Sequence, residues 1–308
     1  MKSEIVLSVQ HFRKTYGSLT AVDDISFEVQ HGEIFGLLGP NGAGKTSTLE
    51  SLEGLRKPDG GKLDILGVDP AKQPLRLRNL IGVQLQSSGL PPMMTVEEAM
   101  QFFCAYHGVA PRMDLIERLG LMEKRRDQFN LLSAGQQRRL ALALAMAHRP
   151  QVLFLDEPTA GLDVPSRIDL HGLMAEIRQN GTTILLATHD MAEAEKMADR
   201  VAILLRGRIA AEGTPAQLTA AGNGLTKISV SSESNRLHQN EMAFPAVSQR
   251  LVKEEYAVYY STNPGQTVTA ILAYLETSGD RLVDLRVERP SLEERFLEIT
   301  QVQSQVQG

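Results

Sequence analysis

From residue 4 to about residue 218, short apolar runs alternate with stretches of helical texture, the pattern of a sheet flanked by helices. Candidate strands fall at 5–9, 34–38, 62–66, 152–156 and 183–188, and 200–212 reads as two strands turning at Arg206-Gly207. The runs 152–155 and 184–186 are continuously apolar, which predicts strands covered on both faces within a mostly parallel core. Between Ser87 and Pro150 the texture turns helical: Thr95 with Glu98 three positions on is a capping-box start, and Phe102, Phe103 and Tyr106 then share one helical face. A separate helical lobe at about 87–150 is expected there.

The composition shifts after Gly213-Thr214-Pro215, and 219–224 reads as a linker. The expected organisation is a domain over 1–218 and a small α+β domain over 219–308. The latter reads as strands at 225–230, 255–261 and 282–287, a helix at 266–277, and a last helix opened by Ser291 with Glu294 three residues on. No internal repeat or low-complexity tract interrupts the pattern.

With 308 residues, 42% of them apolar, the chain has material for one large core and a small one. A formal charge of −5 without a Lys/Arg block argues against broad binding to nucleic acid. Cys104 is the only cysteine and can form no internal disulfide, and no charged segment followed by an apolar one opens the chain, so a cytosolic protein is expected. The longest apolar stretches fall far short of the ~20 residues of a bilayer-spanning helix, so any membrane role must come through a partner.

The chemistry starts at residues 39–46, Gly39-Pro40-Asn41-Gly42-Ala43-Gly44-Lys45-Thr46, between an apolar strand and a helix-compatible stretch ending near Gly54. This is a G-x-x-x-x-G-K-[ST] phosphate-binding loop. Clustered phosphate oxygens are best met by backbone N–H groups at a helix N-terminus, where unpaired donors and the helix dipole coincide. Glycines at 39, 42 and 44 let the backbone approach, Lys45 is expected to reach the β- and γ-phosphates, and the Thr46 hydroxyl to bind Mg²⁺. A chance glycine-rich turn rarely meets all these positions in this context.

A second segment, Val152-Leu153-Phe154-Leu155-Asp156-Glu157, carries two acids at the end of an apolar strand. Asp156 can hold Mg²⁺ directly or through water, and Glu157 can polarise an attacking water. By itself it could be a strand ending in a solvated acidic turn; beside a phosphate loop the functional reading prevails. The third segment, Leu132-Ser133-Ala134-Gly135-Gln136-Gln137, reads first as a helix start with Ser133 as N-cap and Gln136 as its capping-box partner. Capping does not need the small pair Ala134-Gly135, which leaves that N-terminus open to another phosphate.

Leu-Ser-Ala-Gly-Gln shortly before an apolar strand ending Asp-Glu resembles the signature segment of ATP-binding cassette (ABC) ATPases, with Ala134 where the family usually has glycine. The resemblance spans most of residues 4–218. It implies an α/β P-loop NTPase of ABC type with a mixed sheet and a helical subdomain, binding ATP and Mg²⁺. It further implies that Tyr16 stacks on adenine and that residues Gly39, Asn41, Gly42, Gly44, Lys45, Thr46 and Ser47 bind the nucleotide. Asp156 with Thr46 and Gln86 would serve the metal, and Glu157, His189 and Gln86 hydrolysis. Gln84 is a rival to Gln86 for the linking glutamine in 81–86, Ala160-Gly161-Leu162-Asp163 resembles the dimer-contact loop, and His189 resembles the switch histidine. A lone tyrosine or histidine would mean little; the common order of six segments carries the resemblance.

Because one chain holds one loop and one signature segment, the resemblance implies a head-to-tail dimer in which Ser133, Ala134, Gly135, Gln136 and Asp163 of one copy complete the site of the other. It also implies a separate transmembrane permease, docked by the helical lobe, that holds the chain at the inner face of the cell membrane. The C-terminal residues 290–297, Pro-Ser-Leu-Glu-Glu-Arg-Phe-Leu, resemble the extension of bacterial drug-resistance exporter ATPases of daunorubicin type, more loosely than the other motifs; a generic small domain remains the alternative. The rival class is an ABC-type ATPase of DNA maintenance or translation. The heptad insertion, zinc cysteines or second cassette of such proteins are absent from the sequence.

Overall fold

The computed structural model describes residues 4–84, 89–220, 225–239, 243–253, 255–288 and 291–305. The chain divides into two compact units, Met1–Thr214 and Pro215–Gly308.

The first unit contains β1 (Ile5–Tyr16), β2 (Leu19–Gln30), β3 (Ile34–Leu38), α1 (Lys45–Leu52), β4 (Gly60–Ile65), α2 (Pro74–Leu77), β5 (Ile81–Gln84), α3 (Val96–Tyr106), α4 (Met113–Arg118), α5 (Ala134–Ala145), β6 (Val152–Asp156), α6 (Val164–Gln179), β7 (Thr183–Thr188), α7 (Met191–Met197), β8 (Arg200–Leu205) and β9 (Arg208–Gly213). Its main sheet has six strands in the order β5-β6-β7-β3-β8-β9, parallel except for the β8/β9 hairpin. Every residue of β3, β6 and β7 is buried, as continuous apolar runs in a sheet covered on both faces require. A second, antiparallel sheet, β2-β1-β4, shares one apolar core with it. That core joins Phe12, Ile25 and Phe27 of the antiparallel sheet to Phe35 and Phe154 of the parallel one and to Leu49 and Leu52 of α1.

Strands at 34–38, 152–156 and 183–188 coincide with those expected, and the turn at Arg206-Gly207 is present. β1 runs on to Tyr16, and β2 was not foreseen, although Val22, Ile25, Phe27 and Val29 are its buried positions. The helical lobe begins as expected: Thr95 Oγ1 accepts from the Glu98 N–H at 3.2 Å, and the Glu98 carboxylate accepts from the Thr95 N–H at 2.8 Å. The buried side of α3 is Val96, Ala99, Met100 and Cys104, whereas Phe102 and Tyr106 are exposed.

The second unit comprises α8 (Pro215–Ala220), β10 (Thr226–Ser232), α9 (Arg236–Gln239), β11 (Val247–Lys253), β12 (Tyr256–Ser261), α10 (Pro264–Ser278), β13 (Leu282–Glu288) and α11 (Leu292–Gln305). Its four strands form an antiparallel sheet in the order β11-β12-β10-β13, and Ile271 and Leu275 of α10 pack on Ile228, Val230, Ala257 and Tyr259. β11 and α9 were not read from the sequence; the capping pair Ser291 and Glu294 was, and the Glu294 N–H donates to Ser291 Oγ at 3.2 Å.

Candidate functional site

Strand order and register create the site. β3 and β6 both pair with β7, Leu38 lying opposite Thr188 and Asp156 opposite Ala187, so the C-terminal ends of the three strands stand side by side. Ligands of parallel sheets bind at that edge. The three following segments supply the phosphate loop and α1, then Glu157, then His189.

α1 begins at Gly44, whose φ of 107° suits glycine, and no side chain caps it. A Cβ on Gly44 would stand 2.6 Å from the Ala21 carbonyl oxygen, so the loop accepts no larger residue there. With neither a capping side chain nor an acidic residue in the first turn, the N-terminal donors of α1 remain for an anion. Lys45 is buried, and its Nζ donates to the Gly39 carbonyl at 2.7 Å and lies 3.7 Å from Glu157 Oε1. Burial pushes the Lys45 ammonium below its usual pKa, against the opposing pull of Glu157 and Asp156.

A pocket of about 500 Å³ collects Tyr16, Asn41, Gly42, Gly44, Lys45, Thr46, Ser47, Asp156 and Glu157. The Tyr16 hydroxyl donates to Ser47 Oγ at 3.3 Å, and its ring is flanked by Lys14 Nζ at 5.3 Å and the Arg56 guanidinium at 5.4 Å. Asp156 is buried and its carboxyl is held above the usual range, by burial first and then by the charge of Glu157. Its carboxylate and the Thr46 hydroxyl are hard oxygen donors of the kind Mg²⁺ takes, two only, which leaves further positions for phosphate and water oxygens. Among the described residues no cluster of three or more His, Cys, Asp or Glu side chains forms a closed metal site.

Glu157 has φ 48°, an uncommon conformation for glutamate, and its N–H donates to the Ala187 carbonyl at 2.9 Å. His189 Nδ1 lies 2.8 Å from Glu157 Oε2, which fixes the orientation of that carboxylate from the end of β7. The turn after Glu157 is anchored by a buried network that the sequence did not disclose: Thr159 Oγ1 donates to Glu193 Oε1 at 2.7 Å, and His171 Nε2 lies 3.2 Å from the same oxygen. Sequence reasoning also missed Leu19, Thr20, Ala21 and Arg206, which line the pocket from the β1/β2 and β8/β9 turns. The polar-apolar alternation of 22–29 was the available signal for β2 and its turn.

Ser133, Ala134, Gly135, Gln136 and Asp163 are absent from the lining of this pocket. They belong to other helix starts. Ser133 Oγ accepts from the Gln136 N–H at 3.3 Å and Gln136 Oε1 from the Ser133 N–H at 2.9 Å, while Asp163 caps α6 by accepting from the Ser166 N–H at 3.1 Å. Gly135 is packed so closely on α6 that a Cβ would stand 2.9 Å from Ser166 Oγ. Gln86 lies outside the described residues. Its rival Gln84 ends β5 with its side chain buried in the wall of a different, apolar groove.

A family model described as ABC transporter matches residues 22–160. The linearmycin resistance ATP-binding protein of Bacillus subtilis (strain 168) is 32% identical over 305 residues, which cover 96% of this chain and 98% of that one. The Nod factor export ATP-binding protein I of Ralstonia nicotianae is 36% identical over 303 residues, covering 96% and 94%, and a daunorubicin resistance ATP-binding protein of Streptomyces coeruleorubidus is 30% identical over 305 residues, covering 97% and 96%. A solved ATP binding subunit of an ABC transporter, 28% identical, aligns with a TM-score of 0.66 over 71% of this chain and 94% of its own.

Proposed function

The chain belongs to the ABC transporter family as an ATP-binding subunit, an ATPase coupled to transport, and from that premise we propose that it drives a separate permease exporting drug-like or lipophilic cargo, as a head-to-tail dimer. The relatives named for linearmycin resistance, daunorubicin resistance and Nod factor export support the exporter reading over a role in DNA maintenance or translation. No helix among the described residues is long and apolar enough to cross a membrane. The permease would therefore hold the chain at the inner face of the membrane, with residues 1–218 as the nucleotide-binding domain and 219–308 as an accessory domain.

The observation that carries the dimer is the division of labour between two helix starts. The pocket around α1 is furnished by its own chain, whereas Ser133, Gly135 and Asp163 stand outside it. In the proposed assembly ATP lies between Lys45, Thr46 and Tyr16 of one copy and Ser133 and Gly135 of the second, so binding closes the dimer and hydrolysis reopens it. Thr46 and Asp156, with Gln86, would hold Mg²⁺, which when bound neutralises phosphate charge.

Lys45 stabilises charge on the transferring phosphoryl group, and the uncapped end of α1 does the same through its N–H donors. Glu157 accepts a hydrogen bond from the attacking water and aligns it with the γ-phosphorus. His189, bonded to Glu157 through Nδ1, keeps that carboxylate aimed and in the proposed cycle senses the γ-phosphate. Glu157→Gln is expected to retain ATP while steady-state hydrolysis by the purified chain collapses. Hydrolysis equal to that of the parent would remove Glu157 from this role.

A further inference from the structure

An open groove of about 620 Å³ runs beneath the helical lobe, walled by apolar side chains that include Leu55, Val83, Met94, Phe102, Phe103 and Leu144. Phe102 and Leu55 are exposed, so the groove offers an apolar surface to whatever enters it. Polar side chains interrupt this lining, and two of them are almost wholly buried. Glu53, the C-cap of α1, and Gln84, the last residue of β5, are 6% and 1% exposed. Glu53 Oε2 and both polar atoms of the Gln84 amide are buried without a hydrogen-bond partner.

Such groups are costly to bury unmet, and native proteins rarely keep several at one place without a ligand or partner to meet them. The charges that bear on Glu53 are those of Asp156 and Glu50, both acidic. Of the other polar side chains of the groove, Arg78 donates to the Tyr106 hydroxyl at 2.9 Å, and His148, whose Nδ1 is also buried without a partner, lies 2.9 Å from the Ile81 carbonyl through Nε2 and stacks on His107 at 3.8 Å. The groove thus holds an acid and an amide whose polar atoms are unmet, inside an apolar wall.

We propose that the permease segment seated in this groove carries one basic side chain, lysine or arginine, among apolar residues, and that this cation pairs with Glu53 while Gln84 accepts a further hydrogen bond from the same segment. This rests on the reading of the chain as the partner of a separate permease, and adds the chemistry by which that partner is recognised. Apolar contact supplies the area; the buried acid selects against a segment lacking the cation, because Glu53 would then stay unmet.

Fluorescence anisotropy on the full chain tests it with three labelled amphipathic helical peptides that share an apolar face and differ only in a central Arg, Gln or Glu. The Arg peptide is expected to bind about tenfold tighter than the Gln peptide, with the Glu peptide weakest. Glu53→Gln, nearly the same size and checked for folding by circular dichroism, is expected to level the three, and Phe102→Ala to weaken all three together. Equal affinities in the parent chain, or an Arg preference that survives Glu53→Gln, overturn the proposal. If no peptide binds, docking at this groove fails along with it. The permease reading fails separately, if the chain purified from membranes brings down no membrane protein.

Discussion

α1 and α5 both present a positive helix end to solvent, yet the two ends are built differently. At α1 the N-cap is Gly44, no side chain satisfies the free N–H groups, and Lys45, Asp156 and Glu157 surround them in a pocket of about 500 Å³. At α5 the end is closed by neutral groups, the reciprocal pair Ser133 and Gln136, and it lies outside that pocket. Neither helix has an acidic residue in its first turn, whereas α3, which begins with the same kind of capping box as α5, carries Glu97 and Glu98 there. α3 answers its own dipole with acids, whereas α1 and α5 do not. The difference supports the proposed division of labour, in which α1 seats the nucleotide and α5 closes over one seated elsewhere.

The largest break in this comparison is Lys45→Ala. Lost charge-assisted contacts of about 1.5–3 kcal/mol should weaken ATP binding by roughly one to two orders of magnitude, measured by calorimetric titration. The opposite end of α1 gives the next effect. Glu53 is pushed up to about 8, by burial first and then by the charges of Asp156 and Glu50. A carboxyl raised on folding keeps its proton in the native state where the unfolded chain has lost it, so stability falls as pH rises from the ordinary glutamate range through about 8. Denaturant titrations should show the parent losing stability across that window at up to about 1.4 kcal/mol per pH unit, and Glu53→Gln losing much less.

At α5 the effects are smaller and of another kind. Gly135→Val must displace Ser166, and it is expected to lower turnover about tenfold, near 1.4 kcal/mol, while the single chain binds ATP as before. Ser133→Ala should cost the chain about 1 kcal/mol in thermal or denaturant unfolding through the lost cap. If Ser133→Ala instead weakened ATP binding by the isolated chain as much as Lys45→Ala, the contrast between seat and lid would collapse.

Much of this was legible in the sequence, and what escaped has physical reasons. Buried parallel strands announce themselves, so 152–156 and 183–188 were found to the residue, and the capping boxes at Thr95, Ser133 and Ser291 were visible as spaced residue pairs. β2 and the far half of β1 were missed because one face of each is solvated, and His11, Arg13 and Lys14 dilute the apolar signal. Phe102 and Tyr106 were rightly placed on one helical face, but spacing cannot say whether such a face is core or groove. The acid at Glu53 was invisible for a similar reason: only the fold brings Asp156, Glu50 and an apolar wall around it. His189 was named through its place in a family pattern, while its 2.8 Å contact with Glu157 needed the strand order.

The central claim is that the α5 end of one copy closes over the nucleotide held by the α1 end of another. Sedimentation velocity of the Glu157→Gln chain with and without ATP and Mg²⁺ tests it most directly. The account predicts monomer without nucleotide, dimer with it, and a return to monomer when Gly135→Arg is added although ATP stays bound. A chain that binds ATP yet remains monomeric, or a nucleotide-dependent dimer that persists with Gly135→Arg, would contradict it.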